Sequence, residues 1–437
     1  MSFDVFILVL AIILFTVLAY KRISAVILGP LVSIVVILLS RLAVFETLTG
    51  AYMTSAANYF KSYFFIFLVG AIFGSVYEET KAAKSIASAL LKISKGKFTA
   101  AIIMCITGIL TFGGISGFVV YFVMYPIALQ LFRKNDLSRK ILPAAISAGC
   151  WTWSMNSPGS PSIQNVIPMR SLGTSATAAF IPGMAGLVVQ FVLIFLWLEY
   201  RSRSLKKKGY LFHDDRLTPL PAHLLEDNDS KDEKVPHPLI ACIPVALILV
   251  CFNILHWQVE FAVAMGILSS IILMYKFIPS GISGLIKIFN TGGSNSCSAI
   301  LNTALVVGFG GVVKITSGFS TVIGGLQNLN ISPLWFVAIT TAICAGVCGS
   351  ASGGLGIAYD ALKDTFISMG VNLEYVHRIS AIAAGTLDSL PHQGGQITLL
   401  VLTNLSHKDA YYDVFITQLI IPTITLFVVI PMCALGL

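Results

Sequence analysis

The sequence predicts an all-α polytopic membrane protein built from two inverted-topology repeats, with about ten transmembrane helices and two re-entrant hairpins. Hydrophobic residues make up 56% of the 437 residues and charged residues only 11%, whereas a soluble domain carries about 25% charged residues. Long apolar runs recur along the chain, and in lipid every backbone polar group must be hydrogen-bonded within the protein. These two observations favour a helix bundle in a bilayer and exclude water as the main solvent.

Twelve apolar segments carry this prediction, and ten of them are long enough to span a bilayer. The ten predicted spans are residues 3–20, 24–42, 58–77, 140–168, 177–199, 238–256, 259–277, 296–314, 376–404 and 413–435. The other two, residues 98–132 and 334–368, are interrupted by the small-residue stretches GGISG (113–117) and GSASGG (349–354). Each of their arms makes roughly 22 Å of helix against a hydrocarbon core of roughly 30 Å. They are therefore expected to form hairpins that enter and leave on one side.

A constant offset of 236 residues relates the two halves of the chain. It aligns Phe73-Gly74 with Phe309-Gly310, Gly113 with Gly349, and Ser116-Gly117 with Ser352-Gly353. The first repeat is predicted at residues 1–199, with hairpin 98–132 and broken helix 140–168. After a polar linker at 200–237, the second repeat follows at 238–437, with hairpin 334–368 and broken helix 376–404. Because five spans per half is an odd number, the second repeat must start on the opposite side of the membrane.

The basic residues indicate an orientation. The net charge is +8, but the cations lie in short segments between apolar runs, so no nucleic-acid partner is expected. With the N-terminus outside, 22 of the 28 Lys and Arg residues fall on the cytoplasmic side, in agreement with the positive-inside rule. The sequence thus predicts a cell-membrane protein with both termini outside and linker 200–237 in the cytoplasm. No removable signal peptide and no metal site are expected.

Two spans are broken at corresponding places, by TWSMNSPGSPSIQN (152–165) and by TLDSLPHQGGQIT (386–398). Pro158 and Pro161 remove backbone donors and Gly159 permits unusual dihedrals. Unwound backbone at this depth is tolerated only where protein or a water-filled cavity covers it. The N-termini of half-helices present free N–H groups and partial positive charge, which suits a carboxylate.

Four such N-termini, two from hairpin tips and two from breaks, are expected to converge on one substrate site. The candidate substrate-binding residues are Ser116, Gly117, Asn156, Ser157, Gly159, Ser160, Ser352, Gly353, Gly354, His392, Gln393, Gly394, Gly395 and Thr398. A structural alternative is that the glycines and serines only let helices pack closely.

Asp388 and His392 lie four residues apart in the second break. Ionisable groups inside a span are costly unless they are paired or face a cavity, so a functional role is the first hypothesis. We expect them to couple transport to protons, since histidine titrates near physiological pH. The alternative is that Asp388 caps a half-helix and His392 donates to a backbone carbonyl. Sodium, bound by unwound carbonyls, is the other candidate coupling ion, and no cofactor is expected.

Four stretches resemble the gluconate permease (GntP) family of the ion transporter superfamily. They are SPGSPSIQNVIP (157–168), GSASGGLGIAYDAL (349–362), LDSLPHQGGQITLL (387–400) and LTNLSHKDAY (402–411). The resemblance implies a homodimeric, proton-coupled symporter of a small carboxylate that works by an elevator movement of its hairpins. Since Gln393-Gly394-Gly395 departs from the family pattern, a short hydroxycarboxylate such as 3-hydroxybutyrate is expected in preference to gluconate, another sugar acid or D-serine.

Two other functions compete with a carrier. GISG (114–117) and His392 fit an intramembrane serine hydrolase, in which a nucleophile needs a base within reach. The recurrence of the motif at Ser352-Gly353 argues against catalysis, which requires no second copy of a nucleophile, so we expect no enzyme. A passive channel is the third alternative, against which two inverted hairpins favour alternating access.

Overall fold

The structure, a computed structural model, describes residues 3–21, 23–94, 97–115, 117–220, 235–328 and 331–437. All regular secondary structure in these ranges is helical. The described helices of nine or more residues in the first half are α1 (Phe3–Tyr20), α2 (Ala25–Leu39), α3 (Val44–Glu79), α4 (Ala82–Ser94), α5 (Thr99–Phe112), α6 (Gly117–Lys134), α7 (Leu142–Trp151), α8 (Ile163–Leu172) and α9 (Phe180–Lys207).

The second half repeats this order of helices. Its described helices are α10 (Pro238–Asn253), α11 (Val259–Met274), α12 (Ile282–Lys314), α13 (Ser317–Asn328), α14 (Pro333–Cys348), α15 (Ala351–Ser368), α16 (Leu373–Leu387), α17 (Gly394–Leu402) and α18 (His407–Ala434). Hairpins α5–α6 and α14–α15 fall on the two segments predicted as hairpins, and α7–α8 and α16–α17 fall on the two predicted broken helices. The division into inverted repeats stays a prediction.

Contacts between the two halves occur in pairs, in which a helix of one half packs against a helix of the other and their two equivalents do the same. Helix α1 packs against α13 while α10 packs against α4, and α8 packs against α15 while α17 packs against α6. At the centre, α3 runs along α12. A Cβ atom added to Gly292 would lie 2.7 Å from the Cα atom of Ile72, and one added to Gly308 would lie 2.9 Å from the ring of Tyr52. These contacts keep the two longest helices close, as small residues do in membrane bundles.

The prediction of an all-α polytopic membrane fold is confirmed. Five described segments are long and apolar enough to cross a membrane: Val44–Glu79, Phe180–Lys207, Val259–Phe277, Ile282–Lys314 and His407–Ala434. Two predicted spans, 58–77 and 296–314, are only the C-terminal parts of α3 and α12. The boundaries were wrong because polar residues such as Thr49 and Asn295 lower the hydropathy of segments that are nevertheless helical.

The predicted linker 200–237 is partly structured. Helix α9 continues past residue 199 to Lys207 because the charged residues that follow the apolar run are good helix formers. Beyond it, the backbone N–H of Phe212 donates to Asp136 Oδ1 (3.1 Å), and Arg139 Nη2 donates to the carbonyl of Thr218 (2.9 Å). Asn404 Nδ2 donates to the carbonyl of Pro219 (2.8 Å). Residues 210–220 therefore lie against both halves, and residues 221–234 of the linker fall outside the described ranges.

Candidate functional site

The first break uses its own serines to satisfy backbone carbonyls. Helix α7 ends at Trp151, Thr152 leaves the helical region (φ −118°, ψ −115°), and Gly159 adopts φ +80° before α8 begins. Ser160 Oγ donates to the carbonyl of Ser154 (2.7 Å), and Ser157 Oγ donates to the carbonyl of Trp153. Since unpaired carbonyls inside a membrane protein are costly, these hydroxyl groups stabilise the unwound segment.

A buried arginine from the other half completes the first break. The side chain of Arg378, on α16, is fully buried. Its Nε and Nη2 atoms donate to the carbonyl of Ala178 (3.1 and 3.0 Å), Nη2 also donates to that of Ala176 (3.3 Å), and Nη1 donates to the carbonyl of Asn156. In the described part of the chain, no carboxylate lies within ion-pair distance of Arg378. Backbone dipoles of the first break and of the segment that joins α8 to α9 thus take the place of a counter-ion.

The residues beside Arg378 extend this contact. The two ring nitrogens of His377 lie 2.8 Å from Asn165 Oδ1 and 2.6 Å from Thr174 Oγ1. Glu374 Oε2 accepts from the backbone N–H of Ala179 (3.2 Å). The first two turns of α16 therefore hold the first break and the segment that joins α8 to α9. We call the set formed by Glu374, His377 and Arg378 the α16 clamp.

The second break carries its own charge. Asp388, 2% exposed, follows the last residue of α16. Its Oδ1 atom accepts from Ser389 Oγ (3.0 Å), and its Oδ2 atom accepts from Gln393 Nε2 (3.4 Å). The backbone N–H groups of Ser389 and Ala351 lie near the carboxylate. Ala351 is the first residue of α15, so Asp388 lies at the N-terminus of a helix, where partial positive charge favours an anion.

Side-chain hydrogen bonds that centre on Gln418 connect the second break to α18 and α7. Gln418 Oε1, on α18, accepts from Gln396 Nε2 (2.6 Å) and Ser389 Oγ (3.3 Å). Gln418 Nε2 donates to Ser147 Oγ on α7. Ser389 thus links Asp388 to both halves of the molecule.

His392 occupies a tightly packed environment. Its Nε2 atom lies 2.9 Å from the carbonyl oxygen of Gly346 and its Nδ1 atom lies 3.3 Å from Thr16 Oγ1. Its ring packs against Phe15, with the centroids 5.3 Å apart. A Cβ atom added to Gly349 (φ +58°) would lie 2.5 Å from this ring. His392 therefore joins α1 to hairpin α14–α15, which is the geometry of the structural alternative.

One cavity of about 220 Å³ lies where the two breaks and the two hairpin tips meet. The first residues of four helices line it: Gly117 of α6, Ile163 of α8, Ala351 of α15 and Gly394 of α17. Two of these helices follow hairpin turns and two follow breaks. The free N–H groups of helix N-termini favour an anion, so the cavity has the polarity expected of a carboxylate site.

The cavity wall contains one acid and two buried amide oxygens without partners. Among the described residues that line it, Asp388 is the only one with a charged side chain. Gln164 and Gln393, both 5% exposed, also line it, and their Oε1 atoms find no hydrogen-bond partner in the described part of the chain. Buried carbonyl oxygens are rarely left unpaired. They leave accepting capacity for a donor on a ligand or for a cation.

The predicted site residues divide into three groups. Those that line the cavity are Gly117, Ser352, Asp388, Gln393, Gly394, Gly395 and Thr398. Those that lie outside its wall are Asn156, Ser157, Gly159, Ser160, Gly353, Gly354 and His392. Ser116 lies outside the described residues. Ser352 is held by Tyr59, whose hydroxyl donates to Ser352 Oγ (2.8 Å), and Asn156 pairs with Gln190 at 3.4 Å. The assignment of substrate ligands stays a prediction.

Several residues of the site were missed by the sequence analysis. Gln164, Asn302, Thr303 and Ser350 line the cavity, and the α16 clamp lies behind it. The clamp had a signal in the sequence, because Glu374, His377 and Arg378 stand within or next to the predicted span 376–404, where charges are expensive. Asn302 and Thr303 gave no signal, since the segment around them reads as an ordinary apolar helix.

The fold and the cavity define a membrane transporter, and comparisons with known proteins agree. A model of the Na+/H+ antiporter family matches residues 1–171. The Uncharacterized transporter YxjC of Bacillus subtilis (strain 168) is 30% identical over 475 aligned residues, which cover all of this chain and 99% of that protein. The chain belongs to the same transporter family as YxjC. The predictions of a transporter and of a protein that is not an enzyme are confirmed.

The resemblance to the gluconate permease family was wrong, because the matching family model describes Na+/H+ antiporters and YxjC is named only as a transporter. The stretches that carried the resemblance are rich in Gly, Ser and Pro. Such residues recur wherever membrane helices break or pack closely, so they are weak markers of one family.

Proposed function

We propose that the chain is a secondary active symporter of a small organic carboxylate, with the 220 Å³ cavity as its substrate site. The observation that carries the proposal is the convergence of the N-termini of α6, α8, α15 and α17 on this cavity. Their N–H groups would bind the carboxylate without a cationic side chain. Ligand pockets for drug-sized molecules measure about 300–1,000 Å³, so the cavity suits a smaller ligand. Short hydroxycarboxylates such as 3-hydroxybutyrate are the first to test.

Asp388 supplies a reason for ion coupling. An ionised Asp388 would repel a carboxylate about 4 Å away by about 4 kcal/mol at the effective dielectric of a protein surface, which is roughly a thousandfold in affinity. A proton on Asp388, or a sodium ion bound by it and by the Gln393 amide oxygen, would remove that repulsion. Substrate and cation would therefore bind together, which is thermodynamic coupling. Proton coupling remains our first proposal and sodium the alternative.

The proposed mechanism is alternating access by an elevator movement. The hairpins and the broken helices that surround the cavity would move as one unit against the α3–α12 pair, with the inverted repeats providing both end states. We also propose a homodimer, with both termini outside and linker 200–237 in the cytoplasm. The lysine and arginine distribution supports this orientation.

Uptake into proteoliposomes tests the proposal. Labelled 3-hydroxybutyrate and other short hydroxycarboxylates would be offered under an imposed proton gradient, an imposed sodium gradient or neither. We expect accumulation under one of the two gradients and counterflow when unlabelled acid is placed inside. The amide of the same acid, which lacks the negative charge, should not accumulate. Equal uptake of acid and amide, or uptake without counterflow, would refute the proposal.

A second candidate function is Na+/H+ exchange without an organic substrate, and the family match over residues 1–171 favours it. That match covers α1–α7 and all but the last residue of α8, but not Asp388, the one charged side chain among the described residues of the cavity wall. A pulse of sodium given to proteoliposomes that contain a pH-sensitive dye separates the two functions. Exchange predicts alkalinisation of the lumen with sodium alone. Proton symport predicts a pH change only when a carboxylate is present, and sodium symport predicts none.

A further inference from the structure

A second cavity, of about 590 Å³, lies along the C-terminal part of α9 and is amphiphilic. At one end it is lined by Phe98, Phe195 and Leu196, and Tyr200 lies in the middle. Leu196 and Tyr200 are 57% and 62% exposed. Phe98 caps α5 in a left-handed conformation (φ 59°), and its ring lies 5.5 Å from that of Phe195. The apolar side chains at this end are therefore accessible from outside the protein, on the surface of α9.

The other end of the cavity is basic. Arg203, Lys207 and Lys208 line it, together with one acid, Glu199. Glu199 pairs with Arg203 at 2.8 Å, and neither lysine forms an ion pair in the described part of the chain. Two positive charges thus stay uncompensated at this end.

The spacing of the two ends matches a lipid. Leu196, Tyr200, Arg203 and Lys207 follow helical spacing on one face of α9, and eleven residues separate Leu196 from Lys207, which is roughly 16 Å of rise. One leaflet of the hydrocarbon core is about half of 30 Å thick. With the lysines at the headgroups, Leu196 would therefore lie at acyl-chain depth and Tyr200 at the interface, where tyrosines concentrate.

We propose that this groove binds an anionic phospholipid, with the phosphate at Arg203, Lys207 and Lys208 and an acyl chain along Phe98, Phe195 and Leu196. Charge complementarity selects an anionic headgroup over a zwitterionic one. The apolar end favours a lipid over free phosphate. Both would bind the basic end through a phosphate group, but only a lipid has an acyl chain that can pack against the aromatic rings.

Native mass spectrometry of the full-length protein in detergent tests this site. Phosphatidylglycerol, phosphatidylcholine and glycerol phosphate would be titrated separately. We expect bound phosphatidylglycerol at concentrations where neither other ligand is retained. Replacing Arg203, Lys207 and Lys208 by glutamine should weaken phosphatidylglycerol about a hundredfold, and Lys207→Gln alone about fivefold, from the loss of attraction by each cation near an anionic group.

Lys206→Gln is the matched control, because Lys206 neighbours Lys207 but donates to the carbonyl of Asn135 (3.3 Å) and does not line the groove. It should leave the affinity for phosphatidylglycerol within about twofold, since its cation points away from the site. Equal retention of phosphatidylcholine, equal retention of glycerol phosphate, or unchanged binding by the triple variant would overturn the proposal. A doubled mass that the triple variant loses would replace the lipid by a second copy of the chain.

Discussion

The two broken helices lie at corresponding places in the two halves, but opposite charges stabilise them. The first break has no charge of its own, and carbonyls of this break and of the segment that joins α8 to α9 surround the guanidinium group of Arg378. The second break carries the Asp388 carboxylate, which accepts from Ser389 and Gln393 and lies near the N-terminus of α15. The cation is enclosed by fixed dipoles, whereas the anion lines the cavity. We infer that the first break anchors the two halves to each other through Arg378, and that the charge of Asp388 at the second break changes during transport.

Helix α16 joins the two breaks and carries both charges against its own dipole. Arg378 lies in its N-terminal half and Asp388 follows its C-terminus, whereas a helix favours the reverse arrangement. Each charge therefore depends on partners outside α16. A shift of α16 relative to the first break would uncover Arg378, so we expect these elements to move together.

Replacing Arg378 by methionine should give the largest effect. The change leaves the carbonyls of Asn156 and Ala178 without donors, at a cost of about 1–3 kcal/mol for each group. We expect a loss of monodisperse protein in size-exclusion chromatography and a lower temperature of unfolding. Arg170→Met is the control, because its ion pair with Glu260 is partly exposed and such pairs contribute about 0–1 kcal/mol. Equal stability of the two variants would remove the anchoring role.

Replacing Asp388 by asparagine should separate accumulation from exchange. The amide keeps the shape of the carboxylate but can neither take up a proton nor offer a negative charge to sodium. We expect gradient-driven accumulation of substrate to fall by about 5–150-fold, the range of typical coupling free energies, while counterflow continues. Asp360→Asn is the control, since Asp360 is 68% exposed and pairs with Lys314 far from the cavity wall. Undiminished accumulation by Asp388→Asn would show that the coupling group is elsewhere.

The sequence predicted the positions of the hairpins and of the two breaks better than the contacts of their polar side chains. Hydropathy and the glycine-rich interruptions located the hairpins and breaks, because helix ends at membrane depth require Gly, Pro and Ser. They did not show which polar groups face the cavity. The hydroxyl groups of Ser157 and Ser160 donate to nearby backbone carbonyls, and the side chain of Asn156 contacts Gln190. These polar groups are therefore already hydrogen-bonded within the protein. Arg378 contacts residues some 200 positions away in sequence, and no local pattern encodes such a pair.

Gln393 and Asn156 test which amides reach the substrate. Gln393 lines the cavity and its Oε1 atom has no partner, whereas Asn156 lies outside the wall. We expect Gln393→Ala to raise the KM for uptake about fivefold, which corresponds to one lost hydrogen bond of about 1 kcal/mol from the substrate hydroxyl to Gln393 Oε1. Asn156→Ala should change KM by less than about twofold while lowering the unfolding temperature slightly. The reverse order of KM effects would place the substrate at the first break.

The smallest effect is expected for His392→Gln. Glutamine can still donate to the carbonyl of Gly346, which accepts from His392 in the structure (2.9 Å), and His392 does not line the cavity. We expect uptake driven by a proton gradient to stay within about twofold of the unchanged protein, since the main hydrogen bond is kept. His392→Leu, which leaves that carbonyl unpaired, should lower the unfolding temperature instead. If His392 carries the coupled proton, as the sequence alone suggests, His392→Gln will abolish proton-driven uptake while exchange persists. The second break would then differ from the first by two ionisable groups that take part in coupling, His392 and Asp388.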